Sequence, residues 1–312
     1  MLSSVSGQIR ECYAMAEQCA RKAEAQSAGG TFRTMPGDSA ILDHVVVNVQ
    51  ARLDAGVAAY RNLGFSLTER GHHTLGTSNH LALFQQDYLE LLGVEAGRPN
   101  PAWDIVANAA GIQGLAFKTR DAEALYRRLT EDRLAAQPPE EFSRPVTLPE
   151  GTFDARFRVV GVDPSPLQGV RVFFCQHLTP HLVWRREGQS HANSALGIAH
   201  LLVAVSDPVR AGEDFARLLG IAALRPIAGG LEIEAGGVSL RFLAHEAVRR
   251  SLAPAPLAEP KIGVVGMGVR TRSLKATADA LARGGVRPAV TSADRIAVAP
   301  ADAMGVVLDF VP

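Results

Sequence analysis

One spacing recurs along this chain and constrains its fold more than any other feature. The run His44-Val-Val-Val-Asn-Val49 is β-rich, and a helical stretch follows in which Leu53, Val57 and Tyr60 share one face. Gly64 stands where such a helix would stop. The run His200-Leu-Leu-Val-Ala-Val205 is followed in the same way by a stretch carrying Phe215 and Leu218, and then by Gly220. Strand opening and terminating glycine are 20 positions apart in both copies (44 to 64, 200 to 220). Two weaker copies open at Gly114, ahead of Leu125 and Leu129, and at Gly266, ahead of Leu274, Leu281 and Gly284-Gly285. Each copy continues into strand-like runs, over 80–92, 153–184, 231–243 and 295–311. The unit is a strand, a helix and about three more strands, repeated four times.

A βαβββ unit cannot cover its own sheet, so such units pair to bury their apolar faces. The expectation is an α+β fold of four βαβββ modules pairing into two cup-like mixed sheets. Residues 41–190 would form one domain and 191–312 a second, structural one, with the polar, turn-rich stretch 188–196 between them. Val5, Ile9 and Tyr13 lie at helical spacing ahead of the small, polar SAGGT, which reads as an N-terminal helix and flexible linker over residues 1–40. Residues 137–169 carry six prolines and read as an irregular insertion, ordered without a helix or strand of its own, on the wall or rim of the N-terminal cup. Arg144 and Arg156 would bring cations to it.

Composition adds mainly exclusions. Thirty-two basic and thirty-two acidic residues balance, leaving no overall electrostatic footprint for nucleic acid. No apolar run approaches the roughly 20 residues of a membrane helix, and the first residues lack the apolar core of a signal peptide. The three cysteines sit at no ligand spacing, and an odd count argues against a disulfide framework. The chain reads as cytoplasmic, with a small-molecule substrate as its partner, no nucleic acid, no membrane, and assembly into a homodimer left open.

The repeat, the opening LDHVVVNV, the strand DYLELLG, and the segments GHHTLGTSNHLALF and VFFCQHLTPHLVWR together resemble the glyoxalase-like branch of the vicinal oxygen chelate superfamily, over residues 41–312. That resemblance implies paired modules curled around a divalent metal, with a histidine opening a module and a glutamate in its closing strand. Carried over by motif, module one supplies His44 and Glu90, whereas module two has Gly114 at its opening position. Module three has His200 and Arg241, and module four has Gly266 and Asp309. Arg241 and Asp309 would face each other across a cup that holds no metal.

A catalytic metal site needs at least three protein ligands. His80, His177 and His181 are open as the third, and strand alternation would point His181 towards His44 and Glu90. Glu90 or His177, if not ligated, would move a proton. Asn79, His80, His73, Trp103 and Trp184 are the candidate substrate contacts. The resemblance thus implies a metal-dependent lyase, isomerase or dioxygenase acting on a small substrate with vicinal oxygens. The alternative is a metal-free protein of the bleomycin-resistance type, sequestering a small molecule among Trp103, Phe84 and Trp184.

Overall fold

Strand β1 (Leu42–Gln50) is buried along both faces, and that explains its near-continuous apolar run. It pairs in parallel with β4 (Tyr88–Val94), the end of its own module, and antiparallel with β5 (Gly111–Lys118), the start of the next. The computed structural model describes residues 40–94, 105, 108–252 and 262–312. The helix and linker expected over 1–40, and Trp103, lie outside the described residues.

Module one runs β1, α1 (Leu53–Asn62), β2 (Gly71–His72), β3 (Thr77–Leu83), β4; module two runs β5, α2 (Ala122–Glu131), β6 (Glu140–Leu148), β7 (Gly151–Val162), β8 (Arg171–His177). Together they make one eight-stranded sheet in the order β2-β3-β4-β1-β5-β8-β7-β6. The second half repeats the plan. Module three is β9 (Ala195–Ala204), α3 (Pro208–Leu219), β10 (Arg225–Ile227), β11 (Gly230–Glu234) and β12 (Ser239–Leu243). An added helix, α4 (His245–Leu252), leads towards module four: β13 (Gly263–Thr271), α5 (Leu274–Arg283), β14 (Val290–Thr291), β15 (Ile296–Val298) and β16 (Val307–Val311). Its sheet order, β10-β11-β12-β9-β13-β16-β15-β14, mirrors the first. The α+β architecture of paired modules expected from the repeat is the one observed.

The repeated glycines have two duties. Gly64 and Gly220 take the left-handed conformation just past their helices (φ 87° and 69°). A Cβ on Gly64 would also lie 2.9 Å from that of Ala280, because the end of α1 meets α5 of the other half. The two halves share one apolar core, in which Phe65 stacks on Phe310 at 6.0 Å between ring centres. The stretch 188–196 is no loose linker. His191 and Asn193 are buried, and they bond to the Leu83 and Leu63 carbonyls.

The proline-rich stretch also departs from expectation, forming the long β6–β7 hairpin. Pro145 is tolerated because β6 is an edge strand, where a missing N–H leaves no ladder bond unmade. Pro149 and Glu150 form the two-residue turn between Leu148 and Gly151. The edges of the N-terminal sheet then meet, the Thr74 N–H donating to the Ser143 carbonyl at 3.0 Å. The first cup is therefore almost a closed barrel.

The second cup is filled. Helix α4 lays Ala247, Val248 and Leu252 against Leu202, Ala204, Leu243 and Val307 inside it. Its charges pair among themselves, but not as expected. Arg241 donates to Glu232 (2.9 Å) and Arg295 to Asp309 (3.0 Å), so there is no direct Arg241–Asp309 pair. Glu232 sits opposite Arg241 in the β11–β12 register, nearer than Asp309. Burial, with Arg241 and Arg295 close by, holds His200 down to about 4.

Asp87, in the β3–β4 turn, ties the halves together by accepting the Ile198 N–H at 3.0 Å. Burial pushes it up to about 7. An acid raised in this way stays protonated in the fold while the unfolded chain ionises from about pH 4, so stability falls as pH rises from about 4 to 7. Asp87→Asn keeps the acceptor oxygen and removes that penalty. Urea melts should show it about 2–4 kcal/mol more stable than wild type at pH 8 and unchanged at pH 4. A variant no more stable at pH 8 would contradict this account.

Candidate active site in the N-terminal cup

A β-bulge sets up the site. The register between β1 and β5 slips between Leu42 and His44, so Asp43 leaves the strict alternation. Its carboxylate reaches the imidazole of its own neighbour, His44 Nδ1 at 2.8 Å, and His177 Nε2 at 2.9 Å on β8. A carboxylate only accepts, so both facing nitrogens carry hydrogen. Burial would raise Asp43, yet its two imidazoles, His177 foremost, outweigh that and hold it well below the usual carboxylate range. Tyr88 stacks on His44 at 4.4 Å and 15° and fixes the plane of the ring.

With Nδ1 committed to Asp43, the other nitrogen of His44 points at Glu90, 3.5 Å from Oε2. When His44 is neutral, two lone-pair atoms face each other across that gap, and the arrangement calls for a proton or a cation between them. Glu90 Oε1 accepts the Asn79 amide at 2.6 Å. The same amide lies 3.1 Å from His73 Nε2, and His73 Nδ1 lies 2.6 Å from the Thr77 hydroxyl. His73 is pushed down to about 4, chiefly by burial, so it is neutral at neutral pH. His73 Nε2 lies 3.9 Å from Glu90 Oε1, on the side of the carboxylate away from His44.

These groups line an enclosed cavity walled by Phe142, Phe157 and Phe173 and roofed by Arg144 of the hairpin. Its free volume is about 30 Å³, room for one or two waters until the hairpin or its side chains give way. A wider groove of about 480 Å³ opens on the other side of Asp43, lined by Lys118, Gln176, His177 and Trp184 among others. His44, Asp43 and His177 thus form a hydrogen-bonded line from the inner cavity to the outer groove.

Of the residues singled out in the sequence, His44, Glu90, Asn79 and His73 converge in the cavity. His177 and Trp184 line the groove, with Lys118 Nζ 4.5 Å above the indole. Others lie elsewhere. His181, expected on a strand beside Glu90, is exposed in a 3₁₀ turn (Pro180–Leu182), because Pro180 ends the β8 ladder. His80 alternates with Asn79 and turns out of the cup, bonding the Thr68 carbonyl at 2.8 Å. Phe84 belongs to the core between the halves, against Phe65 and His191. Asp43 was not foreseen, since alternation turns it away from His44, and no sequence signal announces the bulge.

Two donor sets could hold a cation. Asp43, Cys175 and His177 have ligand atoms within 4.8 Å of one another. Asp43 is already engaged by two imidazoles, however, and Lys118 Nζ stands 3.8 Å from its other oxygen. A second cation there would be repelled. His44 and Glu90, each anchored from behind and facing each other without a donor between, fit a divalent ion better, since Arg144 of the same cavity makes no ion pair with Glu90. His73 can join them only if Asn79 releases it. Module two adds no ligand, because Gly114 and Phe173 occupy the matching positions on β5 and β8.

A family model described as a glyoxalase-like domain matches residues 42–219. No curated protein matches the sequence. Among solved structures, a hypothetical protein from Staphylococcus aureus is similar at a TM-score of 0.61 and 13% identity, covering 87% of this chain and 98% of that one. A triple mutant of 4-hydroxymandelate synthase from Streptomyces coelicolor is similar at 0.57 and 12%, covering 89% of this chain and 93% of the other. A xylose isomerase-like TIM barrel/4-hydroxyphenylpyruvate dioxygenase fusion protein is similar at 0.53 and 12% over 88% of this chain, which spans 49% of that one. At such identities these likenesses speak to the fold alone.

Proposed function

The chain belongs to the glyoxalase-like domain family of the vicinal oxygen chelate superfamily, and we propose that its N-terminal cup is the active site of a metal-dependent enzyme acting on a small substrate with neighbouring oxygens. The observation that carries this is His44 Nε2 facing Glu90 Oε2 at 3.5 Å while Asp43 holds the far side of the ring. A carboxylate behind a ligating imidazole is the usual device for orienting it and raising its basicity. His44 and Glu90 would hold the ion, with His73 the nearest third donor. When bound, a divalent ion polarises two adjacent oxygens of a substrate and stabilises developing enolate charge.

The protein's own groups account for the rest. Glu90, whose Oε1 accepts the Asn79 amide, would take a proton from a substrate in the cavity where it is not itself ligated. His177 lies on the groove side of Asp43, so it acts as a positioning residue that steadies Asp43 and, through it, the tautomer of His44. Phe142, Phe157 and Phe173 exclude water from the reacting atoms. The fold is shared with a protein named as a 4-hydroxyphenylpyruvate dioxygenase fusion, which makes dioxygen insertion one reaction class to test for this cup.

The missing ligands of module two favour the rival reading, a metal-free binding protein. Elemental analysis of full-length protein, purified without chelator or metal-affinity resin and then titrated with Mn²⁺, Fe²⁺ and Zn²⁺, separates the two. About one equivalent bound is expected. Absence of bound metal together with no saturable binding would leave the sequestering protein.

A further inference from the structure

Arg144 is 5% exposed, lines the inner cavity, and forms no hydrogen bond or ion pair among the described residues, Glu90 acting on its charge only from beyond ion-pair distance. A guanidinium is always charged in proteins, and one buried with no acceptor for its N–H groups is costly. The cavity also holds a second unmet group, since Asn79 Oδ1 is buried without a donor while its amide serves Glu90 and His73. Both meet at Gly71, where a Cβ would lie 2.4 Å from Asn79 Oδ1 and 2.9 Å from an Arg144 Nη. The space they share exists because residue 71 has no side chain.

We propose that this corner is the substrate's anion site, so that the cup takes small 2-oxo or 2-hydroxy monocarboxylates. The carboxylate meets the planar fork of Arg144, which suits two oxygens at once. The hydroxyl on the next carbon, present in a 2-hydroxy acid and in the hydrate or enol of a 2-oxo acid, donates to Asn79 Oδ1, and the remaining atoms lie against Phe142, Phe157 and Phe173. The free volume of about 30 Å³ favours the smallest such acids, which enter as the side chains of the hairpin give way. Arg144 reaches the cavity from the edge strand β6, whose edge already meets the β2–β3 turn through the Thr74 N–H to Ser143 carbonyl bond. This inference rests on the N-terminal cup being the active site, and it deepens that reading by naming the substrate class.

The test is thermal unfolding of the full chain with EDTA present throughout, so that its outcome is independent of bound metal. Glyoxylate, pyruvate and lactate are titrated against pyruvamide, the uncharged counterpart of pyruvate, with chloride as the salt control. At least one carboxylate should raise the melting temperature of the wild type saturably, and pyruvamide should not. Arg144→Gln should weaken the response by about 10–100-fold, the range for charge-assisted hydrogen bonds. Arg144→Met, which removes the buried charge, should melt no lower than wild type without ligand. An equal response in Arg144→Gln, equal binding of pyruvamide, or no stabilisation by any of the three carboxylates would overturn the proposal. A carboxylate response that depends on Arg144 in EDTA stands even where the metal titration fails.

Discussion

Glu90→Ala should abolish measurable binding of a divalent ion, a loss of at least about 100-fold. Removing one of two facing ligands exceeds the 10–100-fold typical of outer-sphere changes. The variant should still fold, because the space it leaves is bordered by Asn79 and His73, whose amide and ring can bond each other. Asp43→Asn should be milder, about 10–100-fold, since it leaves both ligands in place and removes only the charge that orders His44. Calorimetric titration with Mn²⁺ measures both. Proton spectra add a check independent of metal, because the low-field N–H signals of imidazoles bound to a carboxylate should vanish in Asp43→Asn. Wild-type affinity in Glu90→Ala would remove Glu90 from the metal site, and the reverse ranking of the two variants would mean that Asp43 is itself a ligand.

In the C-terminal half, Leu252→Ala should cost about 2–5 kcal/mol of stability and leave metal binding and carboxylate binding untouched. Leu252 is fully buried inside the second cup, in the cluster that Val248, Leu202 and Val307 share. A cavity opened there lies in the other sheet from His44. Urea denaturation gives the stability change, and the two titrations give the rest. A loss of binding in a variant that remains folded would show that the second cup contributes to the site, against the filled, self-paired interior described above.

The two halves illustrate why similar modules diverged in what they can do. Both begin with a histidine on the first strand, and both place carboxylates on the concave face. In the first, Glu90 faces His44, and Arg144 acts on it only from beyond ion-pair distance. In the second, each carboxylate is claimed, Glu232 by Arg225 and Arg241, and Asp309 by Arg295, and α4 occupies the space a ligand would need. Gly268 fits the same picture, since a Cβ there would lie 2.2 Å from the His200 ring, which is packed down onto the strand.

The architecture was legible in the amino-acid order because it is repeated. Strand runs, helix faces and terminating glycines are local signals of backbone conformation and burial, and four copies in order left few ways to pair them. His44 and Glu90 were picked out by the family resemblance, and Asn79 and His73 by lying just ahead of a strand; that the four line one cavity is what the structure adds. What the tertiary structure alone decided depends on breaks in regularity and on which edges meet. The bulge that brings Asp43 beside His44 and His177 is a register shift between residues 72 and 75 positions apart (His44 against Ala116, Leu42 against Phe117), which no local pattern encodes. The 3₁₀ turn removed His181. The proline-rich stretch looked irregular because edge strands tolerate proline, and only the closing of β2 against β6 shows that this hairpin delivers Arg144 to the cavity. Likewise α4 is an ordinary amphipathic helix in sequence; that it fills the second cup follows from the shape of the sheet it meets.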